Sequence, residues 1–177
     1  MKALYTILIL LTFVCQVSSQ TVAPASPCRV DPTYRQFDFW LGNWDVYNLK
    51  GKKAGDSKIS LILDSCIILE EWSGMPGPGG TTYKGKSFNT YDASTRQWQQ
   101  HWVDNVGSST HYSLGKFEGD KITFSTTPVS YTKDSIVVMK LTFFNLGSDK
   151  VRQLGEISNN NGNTWSPQYD LEYRRRK

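Results

Sequence analysis

The chain has 177 residues, of which 38% are hydrophobic, 13% aromatic and 20% charged, with a formal net charge of +4. That length suits one domain large enough for a real core. Two histidines, and three cysteines without a C-x-x-C pair, argue against zinc or haem, and no cofactor is expected.

Residues 1–19 have the layout of a secretory signal peptide: a cation at Lys2, an apolar run from Ala3 to Val14, and the small residues Ser18 and Ser19 before the cut. The apolar run is too short for a membrane span, and Phe13 and Val14 stand where a lipidated Cys15 would need small neighbours. The mature chain is therefore expected to be secreted or periplasmic, without a membrane span. Residues 20–35, including TVAPASP, read as a flexible leader, and residues 36–177 as the single folded domain. Two cysteines survive the cut. Cys28 and Cys66 either close a disulfide that pins the N-terminal arm, or Cys66 is a small buried apolar residue.

YRQFDFWLGNW is dense enough for a short helical plug, and every later run reads as strand. DVYNLKG, KISLILDS, CIILEEW, TYKGKSFNTYDAST, QWQQHWVDNVG, THYSLGKFEGD, KITFST, SIVVMKLTFFNLGSD, VRQLGEIS and the last strand alternate with turn signals. That is an all-β pattern of about 8–10 antiparallel strands, an up-and-down meander that closes into a barrel or packs as a sandwich.

Side-chain alternation assigns the faces. In QWQQHWVD, two indoles turn Trp98, Gln100, Trp102 and Asp104 inward. In TYKGKSFNTY, Lys84 and Lys86 must face water, so Tyr83, Ser87, Asn89 and Tyr91 face in. Met139, Leu141 and Phe143 face in with Val137, and so do Tyr169, Leu171 and Tyr173. For CIILEEW both registers remain open. An interior of aromatics with scattered amides and hydroxyls points to a wet cavity, because an unpaired buried amide costs about 1–3 kcal/mol.

GMPGPGG, residues 74–80, lacks the Lys and following helix of a phosphate loop and reads as a plain flexible loop or as a mobile hairpin tip that serves as a lid over one mouth. No G-x-S-x-G elbow accompanies Ser87. SNNNGNTW, residues 158–165, is similar to the Asp-box of sialidase propellers, but it occurs once, so it reads as a hairpin turn. Trp40, Trp44 and Trp165 read as core. Removing Lys2 lowers the net charge to +3, and the four cations of residues 174–177 leave the body close to −1. No basic face for nucleic acid is expected on the body.

Together FDFWLGNWDVY, CIILEEW, NTYD, WQQHWVDN and the terminal NTW resemble a family of uncharacterised exported bacterial proteins with a lipocalin-like, calycin-type barrel. The resemblance runs from Phe37 to Tyr173. It implies that Gly42 and Trp44 form the G-x-W that opens the first strand, with Trp44 beside an arginine of the last strand, Arg174 or else Arg175. It also favours Cys66, Ile68, Glu70 and Trp72 as the inward set, and matches Arg152, Gln153 and Glu156 to family positions. Asn43, Asn160 and Asn161 depart from the family pattern, in turns.

The expected function is binding of a small, partly apolar molecule inside the barrel. Trp72, Trp98 and Trp102 would supply contact area, while Glu70, Asn89, Tyr91, Gln100 and Arg152 would orient the ligand. One alternative is a hydrolase or isomerase using Glu70 and Asp104, against which an inert Glu70–Arg152 ion pair is the stronger expectation. Another is a filled barrel serving as a structural or interaction module. A monomer or weak dimer is expected.

Overall fold

The structure, a computed structural model, describes residues 25–132 and 135–177. The expected signal peptide and the first part of the leader lie outside the described residues.

Eleven strands follow one another: β1 (Gly42–Asn48), β2 (Lys53–Ile62), β3 (Ile67–Gly74), β4 (Lys84–Asp92), β5 (Gln97–Asp104), β6 (Ser109–Glu118), β7 (Lys121–Ser125), β8 (Val129–Thr132), β9 (Ser135–Asn145), β10 (Lys150–Ser158) and β11 (Ser166–Arg175). All pair antiparallel. β11 returns to β1, and β7 pairs directly with β9, so ten strands close a barrel while β8 lies as a flap on β9. Closure removes the unpaired edges that an open sheet would expose. The fold is thus the all-β antiparallel barrel expected from the alternation.

One end of the barrel is filled by the segment before β1. Phe37 stacks on Trp40 at 5.1 Å and meets Trp98, Phe124 and Phe143, and all of these rings are buried. The Trp44 indole N–H donates to the Trp40 carbonyl at 2.8 Å. Arg175, rather than Arg174, lies over the Trp44 ring at 4.2 Å and donates from Nη1 to the Leu41 carbonyl at 2.9 Å. Alternation explains the choice: Arg175 shares a face with Tyr173, whereas Arg174 lies outside over Tyr47 and pairs with Glu172. The terminal arginines are therefore engaged, with Arg176 held by Asp45 and Asp56.

The described part of the expected leader is folded. It holds a short helix, Pro27–Val30, and a Cys28–Cys66 disulfide. Arg29 pairs with Asp64 at 2.7 Å and Arg35 donates to the Ser65 carbonyl at 2.6 Å, so three links staple the arm to the β2–β3 turn. That turn needs them. Leu63, Asp64 and Ser65 are successive non-glycines with φ of 48°, 54° and 72°, a conformation that persists only when its surroundings enforce it.

SNNNGNTW forms the β10–β11 turn, with Asn161 and Gly162 at φ 56° and 83°. Asn160 accepts from the Thr164 backbone N–H at 2.9 Å and from the Ser158 hydroxyl at 2.9 Å, so these polar groups serve the hairpin. Trp165 is not core: it is half-buried on the outer surface beneath the Lys140 ammonium, 4.1 Å from its ring.

Candidate binding cavity

Opposite the plug the barrel keeps a cavity of about 360 Å³. Six strands line it: Glu70 and Trp72 come from β3, Gln100, Trp102 and Asp104 from β5, Tyr112 from β6, Met139 from β9, Gln153 from β10, and Tyr169, Leu171 and Tyr173 from β11. Glycines on neighbouring strands make room for the large rings. A Cβ on Gly85 would overlap the Trp102 indole, and one on Gly155 the Tyr169 ring, so these aromatics lie flat against backbone.

The floor is built around Glu70, which is 2% exposed. Ser57 donates to its Oε1 at 2.9 Å and Ser87 to its Oε2 at 3.0 Å. A relay runs behind them: Gln100 Nε2 donates to Asn89 Oδ1 at 2.7 Å, and Asn89 Nδ2 donates to Ser87 Oγ at 3.0 Å. Tyr173 Oη lies 3.2 Å from Glu70 Oε1 and 2.7 Å from Gln153 Oε1. A phenol has one proton, so it cannot donate to both oxygens at once. When Glu70 is protonated it donates to Tyr173, which donates onward to Gln153. When Glu70 is ionised, Tyr173 donates to the carboxylate, and a half-turn of the Gln153 amide presents an N–H to Tyr173.

Burial governs the acidity of Glu70. Desolvation pushes its pKa up to about 7, against the opposing pull of the Ser57, Ser87 and Tyr173 hydroxyls. Among the described residues no Lys, Arg or His forms an ion pair with it. Tyr173 and Tyr169 are raised, chiefly by burial, and stay neutral beside it.

Asp104, at the rim, is the opposite case. It accepts from the Ser108 hydroxyl, the Ser108 and Val106 backbone N–H groups at 3.0 and 3.1 Å, and the Tyr83 hydroxyl at 2.8 Å. These donors, the Ser108 hydroxyl foremost, hold it far below the usual carboxylate range. It caps the β5–β6 turn and fixes Tyr83 and Trp102, whose indole N–H points at it from 3.4 Å. A carboxyl that holds its proton up to the neutral range and one that stays ionised thus share one cavity, but so many donors leave Asp104 a poor base.

Of the residues expected in the site, Glu70, Trp72, Gln100 and Trp102 line the cavity. Asn89 stands one layer behind, in the relay. Trp98 and Tyr91 belong to the plugged end: Trp98 donates to Gln36 at 3.0 Å, and Tyr91 meets Tyr34 edge-on at 5.3 Å. The expectation for Arg152 does not hold. It lies on the outer face, donating to Asp170 from Nε at 2.9 Å and Nη2 at 2.6 Å, so no Glu70–Arg152 ion pair exists. Its neighbour Gln153 faces in instead. Ser57 and Tyr112 carry no sequence signal for the site, and the signal for Gln153 is its match to a family position beside Arg152.

No protein-family model matches the chain, and no curated protein matches its sequence significantly.

Proposed function

We propose that this is an exported, lipocalin-like barrel that binds a small, partly apolar molecule in its interior. The observation that carries the reading is the cavity of about 360 Å³, walled by Trp72, Trp102, Tyr112 and Tyr169 and floored by Glu70, Gln100 and Gln153. Its size lies in the range of small-molecule pockets, and a few polar groups in an aromatic wall are what orients a ligand. The Cys28–Cys66 disulfide supports export, because such bonds persist in oxidising compartments. No helix among the described residues is long and apolar enough to cross a membrane.

Native mass spectrometry of the protein, exported under its own leader and purified gently, tests this. The expected spectrum shows cleavage after Ser19, the two-hydrogen deficit of a disulfide, and a stoichiometric extra mass that disappears on denaturation. A clean apo mass, together with no binding in a screen of small amphiphiles, would overturn the reading in favour of a filled barrel.

A further inference from the structure

We propose that the ligand is an organic cation, its ammonium set against Glu70 and its apolar body against the cavity's aromatic wall. The inference rests on the binding reading above and adds the ligand's charge.

The inventory of the lining carries it. Apart from tyrosines, the titratable side chains that line the cavity are Glu70 and Asp104, and among the described residues no Lys, Arg or His does so. Outward-facing acids nearby are each matched by a cation: Glu71 by Lys86, Glu156 by Lys140 and Asp170 by Arg152. Glu70 has hydroxyl partners and, among the described residues, no counter-charge. An ionised carboxylate offers about four lone-pair positions. Two donors meet Oε1 and one meets Oε2, so the free position is on Oε2.

The wall has the same preference. Trp72, Tyr83, Trp102, Tyr112 and Tyr169 surround the space above Glu70, and ring faces carry negative quadrupole charge that attracts cations in desolvated sites. An anion would meet those faces and two acids. A neutral ligand would leave the Glu70 proton in place and gain nothing from the carboxylate.

Binding is therefore coupled to a proton. The groups that face Glu70 are the hydroxyls of Ser57 from β2, Ser87 from β4 and Tyr173 from β11, the Gln153 amide from β10, and Tyr169 through space. The tyrosines stay neutral and Asp104 stays ionised through the neutral range, which leaves Glu70 to titrate. A cation that needs the carboxylate displaces the Glu70 proton on binding. With a pKa of about 7, apparent affinity falls roughly tenfold between pH 8 and pH 6.

Titration calorimetry with benzylamine, benzyl alcohol and benzoate tests this on the intact protein. Benzylamine is expected to bind at pH 8 at least tenfold more tightly than benzyl alcohol, benzoate to give no binding, and benzylamine affinity to fall roughly tenfold at pH 6. Buffers of different ionisation heat should register proton release at pH 6. Glu70→Gln should remove the cation preference and the pH dependence together, with the thermal transition showing the barrel intact. Should that variant not fold, wild-type proton release decides alone. Benzyl alcohol binding as tightly as benzylamine, or benzylamine binding without proton release, overturns the cation inference and leaves the binding reading standing. Absence of binding by all three probes together with a clean apo mass overturns both.

Discussion

The two ends of the barrel are built from the same strands with opposite physics. β5 passes from Trp98, buried against Phe37, through Gln100 to Trp102 and Asp104 at the mouth, and β11 runs from Tyr169 at the mouth to Arg175 at the plug. At the plugged end, rings fill the space. The buried side-chain polar atoms without a partner among the described residues, Arg35 Nε, Asp38 Oδ1 and Trp40 Nε1, all lie there. At the open end, polar groups are bonded in a directed relay around one carboxyl. Packing dominates one end strongly enough to tolerate unpaired polar atoms, whereas the other end spends its polar groups on a defined interior surface.

The largest effect should come from emptying the plug. Trp40 is fully buried against Phe37, Phe143 at 4.5 Å and Tyr173 at 5.8 Å. Trp40→Ala is expected to cost about 3–5 kcal/mol in urea denaturation, from lost burial plus an unfilled cavity. The same change at half-buried Trp102 should cost under about 2 kcal/mol, because that ring already borders open space. Equal losses at the two positions would break the comparison.

Next comes the pH dependence of stability at the open end. The folded pKa of Glu70, about 7, lies above its ordinary value of 4.5, so between those pH values the folded state holds a proton that the unfolded chain has released. Its contribution is fully present below about pH 4.5, is lost as pH rises through 7, and is flat above. Converted directly, that window is worth on the order of 3 kcal/mol. Asp38, also raised by burial, adds a slope of the same sign, so the comparison is with Glu70→Gln, which keeps Asp38. Wild type should lose stability between pH 5 and pH 8 relative to Glu70→Gln. Parallel curves would mean that Glu70 is not desolvated.

Where strong markers bracket a strand, its inward face was legible in the sequence. Two indoles in β5 and two lysines in β4 set the registers that bring Gln100, Asn89 and Ser87 to the interior. In β10 the markers mislead. The inward set, Val151, Gln153 and Gly155, includes a glycine that is small because Tyr169 lies across it, while Leu154 points outward. A bulge between Gly155 and Glu156 further shifts the pairing with β11. Period-two reasoning has little to hold in such a strand, and the resemblance matches Arg152 and Gln153 alike without saying which of the two faces in. The Glu70 relay is likewise invisible in the chain, because Ser57, Ser87 and Tyr173 meet only through cross-barrel geometry.

Arg152 supplies the smallest effect and the sharpest control. Its guanidinium holds Asp170 through two parallel bonds and lies 5.3 Å from the Phe144 ring, but its side chain is 40% exposed. Solvent screens such a pair, so Arg152→Ala should cost no more than about 1 kcal/mol. It should leave benzylamine affinity and its pH dependence unchanged, since the wall of β10 separates it from the cavity. Gln153→Leu, one residue away, should instead disturb the Tyr173–Glu70 contact and shift the pH midpoint of binding. If Arg152→Ala moved that midpoint and Gln153→Leu did not, the register of β10 would have to slip by one residue. The floor of the open end would then contain a counter-charge for Glu70.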